Sequence, residues 1–313
     1  MFIKKIFFNA NDKVRIIWRF LSFILVYILL SAPFQIGVRE FVEPGLLRSS
    51  LNRVFSLLGT VGSIYVQVRY IDRSSFHKYG LKLESPWMKE FFIGCGIASL
   101  QLTLFFITMY ALGYLDIVDY LVTSSAEHSF AAGFITELIT NISASIGEEI
   151  MFRAFIFYVL FESLSLVVKN RMTSAVVTCV FASQLFGFAH YGNDGATLYS
   201  SINLGFDALT ICLPFLLTCR LGMSIGMHFS WNITQAAIFG FANSGHIPKA
   251  SIISSSMPDN IWTGGDFGPE GSVLLIVMDI IAVLLILLWR SKNNINHWVH
   301  PEVLDFDKTS QEQ

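Results

Sequence analysis

The sequence predicts an all-α polytopic membrane protein of about eight transmembrane helices with both termini cytoplasmic, and three observations carry that prediction. Of its 313 residues 53% are hydrophobic and 14% charged, with a mean hydropathy of +0.58. Soluble domains carry about 25% charged residues, so the missing charge corresponds to surface that faces lipid. Apolar runs recur at lengths near the roughly 20 residues that cross a bilayer as a helix. Lys and Arg gather on alternate loops, as the positive-inside rule requires.

Taken in order, the basic start MFIKKIFFNANDKVRIIWRF precedes the uncharged run Phe20 to Val38. That run is too long for a signal-peptide core and has no small-residue cleavage site, so it reads as a retained first span. Val54 to Val68 is short, but Arg53 and Arg69 flank it and can snorkel to the interfaces. Phe91 to Leu115 is a third, uncharged span. The stretch Phe130 to Val168, interrupted by Glu137, Glu148, Glu149, Arg153 and Glu162, reads either as one kinked helix or as two short ones. Met172 to Ala189, Gly195 to Cys219 with Asp207, Leu221 to Gly245 with His228, and Gly271 to Trp289 with Asp279 complete the set. Charge settles the ambiguity: one crossing for 130–168 places 16 of the 21 Lys and Arg on the N-terminal side and 4 on the other, whereas two crossings give 11 against 9.

Three regions follow: 1–130, the first three spans with a cytoplasmic tail; 131–245, a core that holds the chemistry-bearing residues; and 246–313, an external Gly/Pro-rich loop, the last span and a cytoplasmic tail. The loop MPDNIWTGGDFGPEGS reads as turn-rich and external. Cys95, Cys179, Cys212 and Cys219 all lie in apolar runs without a CxxC pair, and read as small core residues. The net charge of -2 leaves no basic footprint, which excludes nucleic acid as a partner. Membrane lipid is the expected surrounding.

Ionisable residues at membrane depth mark function by default. Glu162, Asp207, Asp279 and Glu137 are lone acids whose ordinary role is a hydrogen bond between helices. Gly147-Glu148-Glu149-Ile150-Met151-Phe152-Arg153 is different. Arg153 stands four residues after Glu149 and so on its face of a helix, while Glu148 points about 100° away without an intrahelical counter-ion and is the carboxylate free for chemistry. His190 closes the segment Phe186-Gly187-Phe188-Ala189-His190, and His228 and Asn232 share one helix face at four-residue spacing. A free carboxylate, two histidines and an amide donor suffice for hydrolysis of an amide by activated water, with a donor pair for the oxyanion. No GxSxG elbow points to a serine nucleophile. Zinc held by Glu148, His190 and His228 with an open position stays open, although no HExxH fixes it.

EExxxR at Glu148, Glu149 and Arg153, FxxxH at Phe186 and His190, and HxxxN at His228 and Asn232 together resemble the three motifs of the CPBP family, the CAAX prenyl protease and bacteriocin-processing (Abi) family of intramembrane endopeptidases. The resemblance spans roughly 146–245. It implies a multi-pass enzyme, in the cell membrane if the source is bacterial, that cleaves a peptide or protein substrate at the membrane. By the same resemblance Glu148 is the general base, His190 helps to hold the water, His228 and Asn232 form the oxyanion site, and Glu149, Arg153 and Phe186 support them. The family has been described both with and without a metal; no cofactor is expected here, because Asn232 is a poor zinc ligand and a good oxyanion donor. The other readings are a non-catalytic scaffold or immunity partner, and an ion-coupled transporter using Glu137, Glu148, Asp207 and Asp279. In upright helices His190 sits at the outer end of its span and His228 only about 12 Å past the inner turn at Arg220. A tilt, a kink at Gly147 or re-entry of 195–219 around Pro214 is needed to bring them together.

Overall fold

The computed structural model describes residues 6–9 and 13–305; the tail ends, whose cytoplasmic placement the charge pattern predicts, lie outside the described residues. Every predicted apolar run has a helix at its centre, although Phe91–Leu115 stops being helical at Ala111 and Leu221–Gly245 at Ile238. The helices are α1 (Ile16–Phe41), α2 (Leu46–Val66), α3 (Ser85–Ala111), α4 (Phe130–Glu149), α5 (Phe157–Ser165), α6 (Arg171–Ala189), α7 (Leu198–Thr218), α8 (Gly222–Ile233), α9 (Leu275–Lys292) and the short α10 (Pro301–Leu304). Among the described residues five helical stretches are long and apolar enough to cross a membrane: α1, 46–71, α3, α6 and α7. Exposed large side chains such as Leu25, Leu29, Phe34, Phe92, Ile107 and Phe181 clothe the outside of the bundle. In water such a surface would aggregate; in lipid it is the solvated face.

Helices in lipid gain little from hydrophobic burial against each other, so close backbone approach and polar clasps hold them. At the α3–α8 crossing a Cβ on Gly226 would stand 2.0 Å from the Phe91 carbonyl oxygen, and one on Gly94 2.3 Å from that of Met223. At the α6–α7 crossing a Cβ on Gly187 would stand 2.1 Å from the Ser201 carbonyl oxygen. The polar clasps include Arg19, which joins Glu162 at 2.7 Å and Asp72 at 2.9 Å. Glu137 accepts from Asn141 at 3.0 Å and from the backbone of Lys249 at 2.6 Å. These two acids are satisfied by structural partners. Asp207 on α7 and Asp279 on α9 are both buried in the bundle interior.

The structure departs from the sequence reading in four places. Residues 130–165 form one continuous helix, in keeping with the single crossing that charge favours, but its irregularity is a π-helical segment at Ile150–Ile156 rather than a kink at Gly147. Segment 195–219 does not re-enter: α7 runs unbroken with Pro214 inside it. The fold is not purely helical, since β1 (Asp116–Thr123) and β2 (Ala250–Ser256) pair antiparallel. Finally, the turn-rich loop before α9 packs against the bundle, which the sequence reading did not foresee. Residues 267–272 are buried, Asn203 of α7 donates to the carbonyls of Glu270 and Ser272 at 2.8 and 2.9 Å, and the Phe267 carbonyl accepts from the Gly245 amide at 2.9 Å. It forms a plug seated on the bundle.

Candidate active site

The site is assembled from α4 with its π segment, α6 and α8. Glu149 is fully buried at the end of α4 and its Oε1 is shared: Arg153 Nη1 approaches to 3.0 Å and His228 Nδ1 to 2.9 Å. A carboxylate only accepts, so Nδ1–H of His228 donates to it and Nε2 faces the other way. There Glu148 Oε2 lies 3.6 Å from Nε2, on a side chain that retains 32% exposure. Consecutive carboxylates thus take different roles for the reason helical geometry supplies: about 100° of rotation sends one into the core and leaves the other at an opening.

Arg153 lies in the π segment, where its Nη2 donates to the Ala208 carbonyl at 2.8 Å and its guanidinium stands 5.2 Å from the Phe186 ring centre. Phe186 is the hub between motifs. Its ring also meets His190 at 4.7 Å, His228 edge-on at 5.7 Å and Phe152 at 5.1 Å. His190 caps α6, and its Nδ1 lies 2.8 Å from the Phe186 carbonyl. Since that carbonyl can only accept, Nδ1–H donates and Nε2 keeps a free lone pair. Asn232 is buried one turn beyond His228, and among the described residues its carboxamide has no hydrogen-bond partner.

The gap expected between the two histidines is closed by an offset. Ser224 donates to the Ile211 carbonyl at 2.8 Å, so the start of α8 stands opposite a point seven residues before the end of α7. At 1.5 Å per residue Ser224 therefore stands about 10 Å, nearly two turns, inside the end of α7, and His228 reaches the depth of Phe186 without any broken helix.

Three contributors were not read from sequence. Glu149 does more than neutralise Arg153: it orients His228 from 79 positions away, a pairing that no local spacing encodes. A second π segment, Thr234–Ile238, directly follows the HxxxN helix. Phe267 of the plug packs in one apolar cluster with Phe152 and Phe186. The second glutamate of EExxxR and the Gly/Pro density of the loop were the available signals. Both pointed to importance without naming a partner.

Residues 130–234 match the family model described as "Type II CAAX prenyl endopeptidase Rce1-like", which bears out the resemblance read from the motifs. The matched segment runs from the first residue of α4 to just past Asn232 and contains all seven motif residues. No curated protein and no solved structure matches the chain.

Proposed function

We propose that this chain is an eight-span endopeptidase, with both termini cytoplasmic, that hydrolyses a peptide bond of a membrane-associated peptide or protein by Glu148-activated water. The observation that carries the reading is the bracketing of His228: Glu149 holds Nδ1 at 2.9 Å while the half-open Glu148 faces Nε2 at 3.6 Å. Glu148 takes the proton of a water whose other hydrogen is held by the free Nε2 of His190. Attack on the carbonyl carbon puts negative charge on its oxygen. The unpartnered amide of Asn232 and the Nε2–H of protonated His228, poised by Glu149, meet that charge. Glu148 then returns its proton to the departing amine.

Metal-free chemistry is supported by the spread of the candidate ligands: among the described residues Glu148, His190 and His228 do not gather to within 4.8 Å of one another. The deciding experiment is peptide cleavage by the purified chain and by Glu148→Gln in detergent, with and without chelator, products read by mass spectrometry. We expect a loss of about 10²–10⁴-fold in the variant, with no effect of chelator. Cleavage that survives Glu148→Gln, or that chelator abolishes and zinc restores, overturns this mechanism.

A further inference from the structure

Away from the catalytic motifs, residues 297–303 lie as a strap across the turn between α7 and α8. His300 N donates to the Leu216 carbonyl at 2.7 Å, a ring nitrogen of His297 meets the Leu217 carbonyl at 2.8 Å, and Val299 and Val303 are buried in the core. The strap brings ligand atoms of Cys219, His300 and Glu302 to within 4.8 Å of one another. His77, from the 3₁₀ turn Phe76–Tyr79, places Nδ1 2.5 Å from Glu302 Oε2.

From this cluster we infer a structural zinc site in which Cys219, His300 and Glu302 bind the metal and His77 completes a four-coordinate set. Zinc bonds of about 2.0–2.3 Å place tetrahedral ligand atoms roughly 3.3–3.8 Å apart, so closure of about 1 Å suffices for Cys219, His300 and Glu302, while His77 lies outside that group and joins it through Glu302 by a larger side-chain movement. Charge agrees as well: thiolate and carboxylate cancel the dication, and the neighbouring guanidinium of Arg220 is already held by Glu90 at 2.9 Å. A second observation is the backbone at Cys219, which is left-handed with φ of 52°. Glycine or asparagine suits such a helix cap better than cysteine, so the position carries a cost that the cap does not explain. The thiol sits beneath the strap, 3.5 Å from the Tyr158 hydroxyl and 3.9 and 3.7 Å from the His77 and Lys78 carbonyls, contacts it exchanges for the metal, while His77 and Glu302 open to water and give a metal its entry. On binding, the thiol proton passes to solvent and the sulfur lone pair to zinc.

The test is metal content and cobalt spectroscopy on the purified full chain. Dialysis against zinc should leave one equivalent bound. Cobalt in its place should give a thiolate-to-metal charge-transfer band that persists in His228→Ala and disappears in Cys219→Ser. His300→Ala, at the strap surface, should lose metal without losing the thermal transition of the metal-free chain. Hydrogen exchange across 297–305 should slow at least tenfold with zinc. A chain that retains no zinc, or whose cobalt complex lacks the thiolate band, overturns the site; a band present in Cys219→Ser does so equally.

Discussion

Glu149 has no access to solvent, yet it carries the two contacts that organise the site: Arg153 at 3.0 Å and His228 at 2.9 Å share its Oε1. Removing its charge leaves a buried guanidinium without its counter-ion, which typically costs about 3–5 kcal/mol. It also releases the imidazole from the orientation that keeps Nε2 toward Glu148. Glu149→Gln is therefore expected to lower the melting temperature and to lose activity, whereas Glu148→Gln loses activity while melting as the unmutated chain does. Thermal scans in detergent beside cleavage assays separate the two; equal melting of both variants denies Glu149 its supporting role. The division between the two glutamates was legible, since the four-residue spacing to Arg153 assigns one of them a partner. The bond to His228 was not legible, because it joins residues 79 apart through tertiary packing alone.

The helices were legible at the scale of elements because the bilayer imposes a length, and an uncharged run of that length has few alternatives. What escaped the sequence were features that depend on a distant partner. The β1–β2 pair joins segments more than 120 residues apart, and neither shows sustained alternation of apolar and polar residues. The π segments at Ile150–Ile156 and Thr234–Ile238 insert an extra residue per turn, which hydropathy does not record. Glycine spacing shows why the helices cross where they do. Gly96 on α3 has open space around it, while Gly226 on α8 faces the Phe91 carbonyl oxygen at 2.0 Å from an added Cβ. Gly226→Ala should therefore force α3 and α8 apart, cost about 1–3 kcal/mol and tilt His228 away from Glu148. Gly96→Ala should leave melting and activity unchanged or slightly improved, helix propensity favouring Ala by about 1 kcal/mol. If both variants melt alike, the crossing does not rest on that contact.

At the scale of the whole molecule the plug ties the segments around α7, α8 and α9 together, and its hub is Glu270. That carboxylate accepts from Gln235 at 2.6 Å and from the Ser244 hydroxyl at 3.3 Å, which fastens the segment after α8 to the segment before α9. Burial raises it to about 7, with the charge of Asp207 adding to the rise and the bonds from Gln235 and Ser244 opposing it. In an opened plug the same group returns to its ordinary value near 4.5. Between those limits the closed plug holds a proton that the open one releases, so closure is favoured most below about pH 4.5, weakens as pH rises toward 7, and is level above. The span corresponds to a change on the order of 3 kcal/mol. Hydrogen exchange over 258–274, corrected for intrinsic rates, should accordingly show easier opening at pH 7 than at pH 5. Glu270→Gln keeps the acceptor toward Gln235 and should remove that dependence. Because Phe267 of the same plug packs on Phe152 and Phe186, opening is expected to uncover the aromatic hub between the motifs. Exchange that is flat with pH in the unmutated chain makes Glu270 a clasp of constant strength.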